Sequence, residues 1–193
     1  MESEVLNLEE WLHDTGALRE GHFQLSSGLH SPAYVQCALL LEHPARAARI
    51  GGELAQKLKA VAADSILSPA MGGLIVGYAV ATALEVPFRF VERVEGQMQL
   101  RRGFSLRQGE RIAIVEDVVT TGKSTREAME VARGHGAEIG AVASILDRTG
   151  GGHSFDVPLS SLFELVLPAY EPAVCPLCKA GEELSKPGSR PIP

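Results

Sequence analysis

An apolar run that leads into two carboxylates and a loop of hydroxyl residues constrains this chain more than any other feature. The run covers residues 112–115, and Glu116 and Asp117 follow it directly. Its continuous apolar character is typical of a strand buried on both faces, as in the parallel sheet of an α/β protein. Both carboxylates are then expected at the carboxyl end of the strand, which is the edge where open α/β sheets bind their ligands.

The loop after the carboxylates has the composition of an anion site. Beyond two valines it is rich in hydroxyl groups and glycine, and it comprises Val118, Val119, Thr120, Thr121, Gly122, Lys123, Ser124 and Thr125. We expect it to open a helix over residues 126–135, whose first-turn N–H groups have no partners within the helix and attract phosphate. Adjacent strand residues point to opposite faces, so Glu116 and Asp117 have different tasks. One or both can accept hydrogen bonds from the vicinal hydroxyls of a ribose, and the pattern predicts a site for a phosphorylated sugar.

Two other interpretations of this loop were weighed. The ending Gly122-Lys123-Ser124 is similar to a nucleotide-binding P-loop, which requires a glycine where Asp117 stands, and a carboxylate there would repel a triphosphate. The second alternative is a polar turn whose Thr and Ser side chains only cap the helix. Lys123, taken alone, is expected to be solvated.

Two carboxylates, apolar residues, two threonines and a glycine after a buried strand resemble the fingerprint of the type I phosphoribosyltransferases at every position. The resemblance implies their α/β fold, with a central parallel sheet flanked by helices and a small hood subdomain. It also implies that the loop binds phosphoribosyl diphosphate (PRPP), with Glu116 and Asp117 on the ribose and residues 121–124 on the 5′-phosphate. Asp117 and Arg93 are the catalytic residues that it suggests.

Two further segments indicate which base is used. Residues 16–36 are similar to the opening of the orotate phosphoribosyltransferases, in which part of the base-covering hood corresponds here to Phe23, Ser27, Gly28, Ser31, Pro32 and Tyr34. A second apolar run, residues 139–146, ends in Asp147-Arg148-Thr149. A planar guanidinium matches the carboxylate of orotate with two parallel hydrogen bonds, and the resemblance implies that Arg148 and Thr120 contact this base. The alternative for Arg148 is a surface ion pair with Asp147 or Glu138.

The diphosphate is expected to meet two other segments. Residues 68–73, between a strand at 64–67 and a helix at 74–84, resemble the pyrophosphate loop of the family, although plain helix–sheet packing explains two glycines equally well. Arg93, after a strand at 87–91, fits the family's mobile catalytic loop, which closes over the diphosphate and reaches the neighbouring subunit of a homodimer. For Arg101 and Arg102, a ligand role and a place on a solvated hairpin are equally compatible with the sequence.

The chain departs from the better-known orotate enzymes where they carry lysine, because Ser26, Gly72 and Gln97 stand at those positions. Either arginines supply the missing positive charge, or Mg²⁺ neutralises more of the diphosphate charge, or the activity is weakened. Three alternatives to the orotate enzyme therefore stay open: a PRPP-binding regulator without turnover, a transferase for another base, and an interaction module that depends on its Cys-x-x-Cys tail.

Composition limits the remaining classes. With 193 residues and 45% hydrophobic content, the chain suffices for one domain, with a core at about 44–150 and a hood from about 16–41 and 155–180. The net charge of −6 disfavours nucleic acid as a partner, and no apolar run reaches the length of a membrane span, so the cytoplasm is the expected location. We also expect a helix over 1–20, a hood hairpin over 23–41, a helix near 44–60, and a strand at 161–167 that joins the hood or the sheet edge.

Three cysteines are too few for a secreted disulfide framework. Cys175 and Cys178 have the spacing of half a zinc knuckle, which needs two more N or S ligands. Cys37 and six histidines remain, and the histidines His13, His22, His30, His43, His135 and His153 show no ligand spacing. We therefore expect these histidines at the surface or in the hood, favour a reduced turn or a redox-sensitive pair over structural zinc, and assign no metal ligand.

The resemblance covers nearly the whole chain. It implies transfer of a phosphoribosyl group from PRPP to orotate, giving orotidine 5′-phosphate and diphosphate in pyrimidine synthesis, with Mg²⁺ as cofactor. Because the sugar C1 becomes cationic as the diphosphate departs, electrostatic stabilisation of the leaving group matters more than a strong base.

Overall fold

The computed structural model describes residues 7–25 and 27–187. In chain order the helices are α1 Leu8–Asp14, α2 Cys37–Leu40, α3 Pro44–Leu58, α4 Gly73–Leu84, α5 Lys123–Gly134 and α6 Pro176–Lys179, with 3₁₀ turns at Lys59–Val61 and Pro172–Val174. The strands are β1 Leu18–Gln24, β2 His30–Val35, β3 Ser65–Pro69, β4 Phe88–Val94, β5 Gln97–Leu100, β6 Arg111–Val119, β7 Glu138–Asp147, β8 Leu159–Glu164 and β9 Leu184–Ser185. The chain divides into two compact units, one over residues 41–165 and one from the two ends of the chain.

The larger unit contains a six-stranded sheet in the order β5-β4-β3-β6-β7-β8. All neighbours are parallel except β4 and β5, which form an antiparallel hairpin. The central strands β3, β6 and β7 are built from the apolar runs seen in the sequence, and Ile66, Ile114 and Val142 on them are fully buried. The predicted α/β fold with a central parallel sheet is therefore confirmed.

The strand ends differ from the predictions in a way that affects the site. β6 continues past Val115 to Val119 because it stays paired with β7 as far as the Val119–Asp147 pair. Glu116 and Asp117 therefore lie within the last part of the strand and not after it. The helix that follows begins at Lys123, earlier than expected, since Gly122 already ends the loop.

Pairing also decides where residues 159–164 belong. Of the two predicted places for this segment, the sheet edge is correct, because β8 pairs in parallel with β7. The predicted helix near 44–60 is confirmed as α3, which closes with a 3₁₀ turn. Within residues 7–25 and 27–187, no helix is both long and apolar enough to cross a membrane.

A buried ion pair lies at the amino ends of the central strands. Glu110, 3% exposed, accepts hydrogen bonds from the Ser65 hydroxyl at 2.6 Å, the Arg89 guanidinium at 2.6 Å and the Arg107 N–H at 2.8 Å. Burial opposes ionisation of this carboxylate, but the donors prevail and lower its pKa to about 2. The network fastens the starts of β3, β4 and β6 to one another.

The smaller unit contains a three-stranded sheet in the order β2-β1-β9. β1 and β2 form an antiparallel hairpin, and β9 joins β1 in parallel. The predicted helix over 1–20 is wrong beyond Asp14, because Gly16 adopts φ +65° and β1 begins at Leu18. Residues 1–6 of that prediction lie outside the described residues, as does Ser26. The hairpin itself is confirmed, with an earlier start than the predicted residue 23.

Candidate functional site

The carboxylate pair on β6 is a strained electrostatic arrangement. Glu116 is 7% exposed and pairs in the sheet with Ser144, while Asp117 is partly buried and accepts a hydrogen bond from the Val118 N–H at 2.8 Å. Burial raises the pKa of Glu116 well above its ordinary value, and the neighbouring charge of Asp117 raises it further. Burial also raises the pKa of Asp117. A ligand that donates hydrogen bonds to these two carboxylates would stabilise their charged forms.

The glycine pair before α4 approaches these carboxylates closely. A β-carbon placed on Gly72 would lie 2.5 Å from both carboxylate oxygens of Asp117, and one on Gly73 would lie 3.3 Å from Glu116 Oε2. Gly73 also has the backbone oxygen of Val115 at 2.9 Å from that position, and this atom cannot move aside. A larger residue at 72 would therefore displace the Asp117 carboxylate.

The loop before α5 keeps its helix N-terminus open. Gly122 is the N-cap residue, with φ +69°, and α5 has no side-chain capping hydrogen bond. The Lys123 N–H reaches Thr121 Oγ1 only at 3.4 Å, whereas α1 is capped by the Asn7 side chain. The interpretation of the loop as mere helix capping therefore does not fit. Unpartnered N–H groups and the positive end of the helix dipole are available to an anion.

An aromatic residue from a distant part of the sequence lies beside this loop. A β-carbon on Gly122 would be 2.8 Å from the Phe155 ring, and His153 stacks on that ring with 5.2 Å between centroids. Arg126 of α5 donates a hydrogen bond to Ser154 at 3.2 Å. This contact between Phe155 and the loop was not predicted from the sequence, although the three glycines after Thr149 are typical of a sharp turn.

Arg148 is partly buried and carries a positive charge without an ion-pair partner among the described residues. The backbone N–H of Arg148 donates to the Val119 carbonyl oxygen at 2.8 Å, so Arg148 lies close to Thr120. Its Nε is buried and has no hydrogen-bond partner among the described residues, and none of the ion pairs formed there includes Arg148. The alternative of an ion pair with Asp147 does not fit, because Asp147 instead accepts from the Thr149 N–H at 2.7 Å. Burial lowers the pKa of the guanidinium, so a ligand carboxylate would relieve its desolvation.

Arg93 lies in a strand and not in the loop that the sequence predicted. β4 continues to Val94, and the two-residue turn of Glu95 and Gly96, both with positive φ, leads directly into β5. Arg93 forms an ion pair with Glu127 of α5 and donates to the Gly96 carbonyl oxygen at 2.7 Å.

The other arginines of this hairpin are paired within it. Arg101 and Arg102 both pair with Glu92, at 3.7 and 2.9 Å, and both are largely exposed. This fits the solvated hairpin better than a ligand role for the two residues. Gln97 is the first residue of β5.

The sheet and the loops at its edge match one family of known proteins. The model of the phosphoribosyl transferase domain matches residues 37–161, well over half of the chain. The matched region includes the carboxylate pair, the open helix terminus and Arg148. The chain therefore belongs to the phosphoribosyltransferase family.

Within that family, relatives with high identity are orotate phosphoribosyltransferases. The enzyme of Thermotoga maritima is 51% identical over 183 residues, which are 95% of this chain and 98% of that protein. The enzyme of Caldanaerobacter subterraneus subsp. tengcongensis is 45% identical over 193 residues, 100% of both chains. The crystal structure of orotate phosphoribosyltransferase from Aeropyrum pernix matches with a TM-score of 0.70 and 29% identity, covering 82% of this chain and 93% of that one. The resemblance inferred from the sequence is confirmed.

Proposed function

We propose that this chain transfers the 5-phosphoribosyl group from PRPP to orotate, giving orotidine 5′-phosphate and diphosphate. One observation carries the proposal: the acid pair at the end of β6, the open helix terminus after it, and Arg148 directly after the neighbouring β7 lie at the same edge of the sheet. The identity to orotate phosphoribosyltransferases over nearly the whole chain supports the choice of base.

The sugar is held by β6 and the loop that follows it. Glu116 and Asp117 accept hydrogen bonds from the two ribose hydroxyls, which offsets the burial of their charge. The 5′-phosphate binds in the loop that runs through Val118, Val119, Thr120, Thr121, Gly122, Lys123 and Ser124. The uncapped first turn of α5 supplies N–H donors, and the adjacent Phe155 restricts access of water to the loop.

The base is oriented by Arg148 and Thr120. The orotate carboxylate takes two parallel hydrogen bonds from the guanidinium, whose Nε is buried without a partner among the described residues. A base without a carboxylate leaves the Arg148 guanidinium without an anionic partner. Arg148 therefore also discriminates orotate from other nucleobases.

Arg93 is the residue that we assign to the departing diphosphate. Its guanidinium is now paired with Glu127, and this pair must open before Arg93 binds another anion. Both side chains are partly exposed, at 37% and 24%, so the opening costs only about 0–1 kcal/mol. As the C1–O bond breaks, negative charge develops on the diphosphate. The Arg93 cation stabilises that charge.

The donor set of the acid pair fits Mg²⁺. Carboxylate oxygens are the ligands that this ion prefers, and it is held in proteins through one or two of them together with substrate phosphates. The Asp117 oxygens face the backbone of Gly72 at the mouth of α4, where such a shared site can form. When bound, the ion neutralises charge on the leaving diphosphate.

We also propose a cytoplasmic homodimer in which the β4–β5 hairpin reaches the neighbouring subunit. Exposed apolar side chains support association: Ile75 and Tyr78 of α4 are 48% and 64% exposed, and Met71, two residues before this helix, is 79% exposed. Sedimentation of the purified protein tests the dimer. Mixing Arg93→Ala protein with an Asp117→Asn variant tests the exchange, since restored activity requires residues from both chains in one site.

The first experiment is the fall in orotate absorbance when the protein is mixed with PRPP and Mg²⁺, with other nucleobases in parallel. Turnover specific to orotate is the expected result. PRPP binding without turnover of any base would instead favour a regulator that binds the sugar diphosphate. Turnover of a different base would assign the chain to another transferase of the family.

A further inference from the structure

Four potential metal ligands from distant parts of the sequence meet in the smaller unit. They are the ring nitrogens of His22 and His30 and the thiols of Cys175 and Cys178, and all four ligand atoms lie within 4.8 Å of one another. Three of the residues are buried, and Cys178 is exposed. His22 and His30 lie within the range expected for the hood, on β1 and β2, but they are buried, at 3% and 4% exposed, and not at the surface.

The spacing of these atoms is close to that of a tetrahedral zinc site. Zinc bonds of about 2.3 Å to sulfur and 2.05 Å to nitrogen give, in a tetrahedron, S···N separations of about 3.5 Å and an N···N separation of about 3.3 Å. His22 Nε2 lies 3.6 Å from the sulfur of each cysteine, and His30 Nδ1 lies 3.3 Å from Cys178 Sγ. The two nitrogens are 2.9 Å apart. Small outward shifts would therefore admit an ion without rearranging the backbone.

The second nitrogen of His22 has the partner that a zinc ligand requires. His22 Nδ1 lies 3.0 Å from the carbonyl oxygen of Glu182. If Nδ1 carries the proton and donates it to this oxygen, the lone pair of Nε2 points at the cluster. Such a backbone partner fixes the tautomer and the ring orientation of metal-bound histidines.

The backbone holds all four residues in place. His22 lies on β1 opposite Leu184 of β9, and His30 exchanges both backbone hydrogen bonds with Tyr170, each at 2.8 Å. Cys175 directly precedes α6, and the turn continues with the Lys179 N–H donating to the Cys175 carbonyl oxygen at 3.2 Å. The cluster therefore joins the hairpin of β1 and β2 to the segment that carries α6 and β9.

We infer that His22 Nε2, His30 Nδ1, Cys175 Sγ and Cys178 Sγ bind one structural Zn²⁺. Two thiolates neutralise the dication, so the closed site carries no net charge, as its burial requires. Two soft sulfurs with two imidazoles select zinc over Mg²⁺, which prefers oxygen ligands. The alternative, in which Cys175 and Cys178 are only a redox-sensitive pair, does not explain why two buried histidines face the same point.

The metal content of the purified protein tests this inference without any reference to catalysis. Protein produced in zinc-supplemented medium and purified under reducing conditions should contain about one zinc per chain by mass spectrometry of the metal. Cys178→Ser removes the exposed ligand, which is the substitution least able to disturb folding, and should reduce the content to below about a tenth of an ion.

Two matched variants separate ligand loss from general damage. Cys37→Ser changes the other buried cysteine, and His13→Asn changes an exposed histidine of α1; both should keep the full zinc content. Cobalt added to metal-free protein should give the visible bands of a tetrahedral ion and a thiolate charge-transfer band. Chelation should lower the unfolding midpoint of the wild type by roughly 5–10 °C and leave that of Cys178→Ser unchanged.

Three results would overturn the inference. One is wild-type protein that contains no zinc and gives no tetrahedral cobalt spectrum. Another is a disulfide between Cys175 and Cys178 in protein purified without reductant from zinc-rich cells. The last is loss of zinc in Cys37→Ser to the same extent as in Cys178→Ser. None of these results depends on whether orotate is turned over.

Discussion

The two ends of the central sheet treat buried charge in opposite ways. At the amino ends, Glu110 is surrounded by donors from Ser65, Arg89 and Arg107, and its pKa falls to about 2. At the carboxyl ends, Glu116 is equally buried but sits beside another acid, and its pKa rises well above the ordinary value. Glu110 directly precedes β6, and Glu116 lies within the last part of the same strand. The donors around Glu110 hold the sheet together at one edge, whereas at the other edge the acid pair lacks such donors, which fits the ligand site proposed there.

The largest expected effect comes from neutralising the acid pair. Glu116→Gln should lower kcat/KM for PRPP by about 10²–10³-fold, since a charged acceptor of ribose hydroxyls is lost. The folded state binds the Glu116 proton more tightly than the unfolded chain does. The stability from that proton is therefore present at low pH and lost as the pH rises through the folded pKa. At pH 7 the variant should be no less stable than wild type in urea, and destabilisation comparable to that of Glu110→Gln would contradict the comparison.

Arg148→Ala should weaken orotate binding by about 10²-fold and leave PRPP binding within about twofold. The guanidinium of Arg148 makes no ion pair among the described residues, so its removal disturbs little else. Arg102→Ala is the control, because that exposed arginine is paired with Glu92. Calorimetric titration with each substrate separates the two outcomes, and equal losses in orotate and PRPP affinity would count against the assignment.

The amino-end network should give the protein an acid-sensitive stability. The folded pKa of Glu110 lies below its ordinary value of 4.5, at about 2. The contribution is therefore complete above about pH 5.5 and is lost as the pH falls towards 2, amounting to about 2–3 kcal/mol. Unfolding free energies from urea titrations between pH 7 and pH 3 measure it. Glu110→Gln should be less stable at pH 7 and show a shallower pH dependence, with kcat of the folded protein unchanged.

The smallest effect is expected at the glycines. Gly72→Ala should reduce kcat/KM by about tenfold, because its β-carbon meets the Asp117 oxygens at 2.5 Å and displaces them. Gly52 lies within α3, and a β-carbon there would meet no neighbouring heavy atom within 4 Å. Gly52→Ala should therefore leave activity unchanged and raise the free energy of unfolding by about 0.5–1 kcal/mol. The orotate turnover assay and thermal unfolding of both variants test this prediction. Unchanged activity in Gly72→Ala would show that Asp117 moves aside without loss of function.

How much the sequence predicted depended on whether a feature is local. The acid pair, the open helix terminus and Arg148 each lie close after a continuous apolar run in the sequence, so a short local pattern was enough to single them out. The end of β6 was not predictable, since pairing with β7 extends it over polar residues. Phe155 beside Gly122, and His22 beside Cys178, depend on contacts between residues far apart in sequence. No local pattern records such contacts.

The open helix terminus and the unmatched charges at the carboxyl edge also bear on the lifetime of the protein. A ligand that binds only the folded protein stabilises it by an amount that rises with the logarithm of one plus the ligand concentration divided by its dissociation constant. Protease attack on transiently unfolded chains should then slow when PRPP is plentiful and quicken when it is scarce. The abundance of the enzyme would in this way follow the supply of its own substrate, without any change in its synthesis.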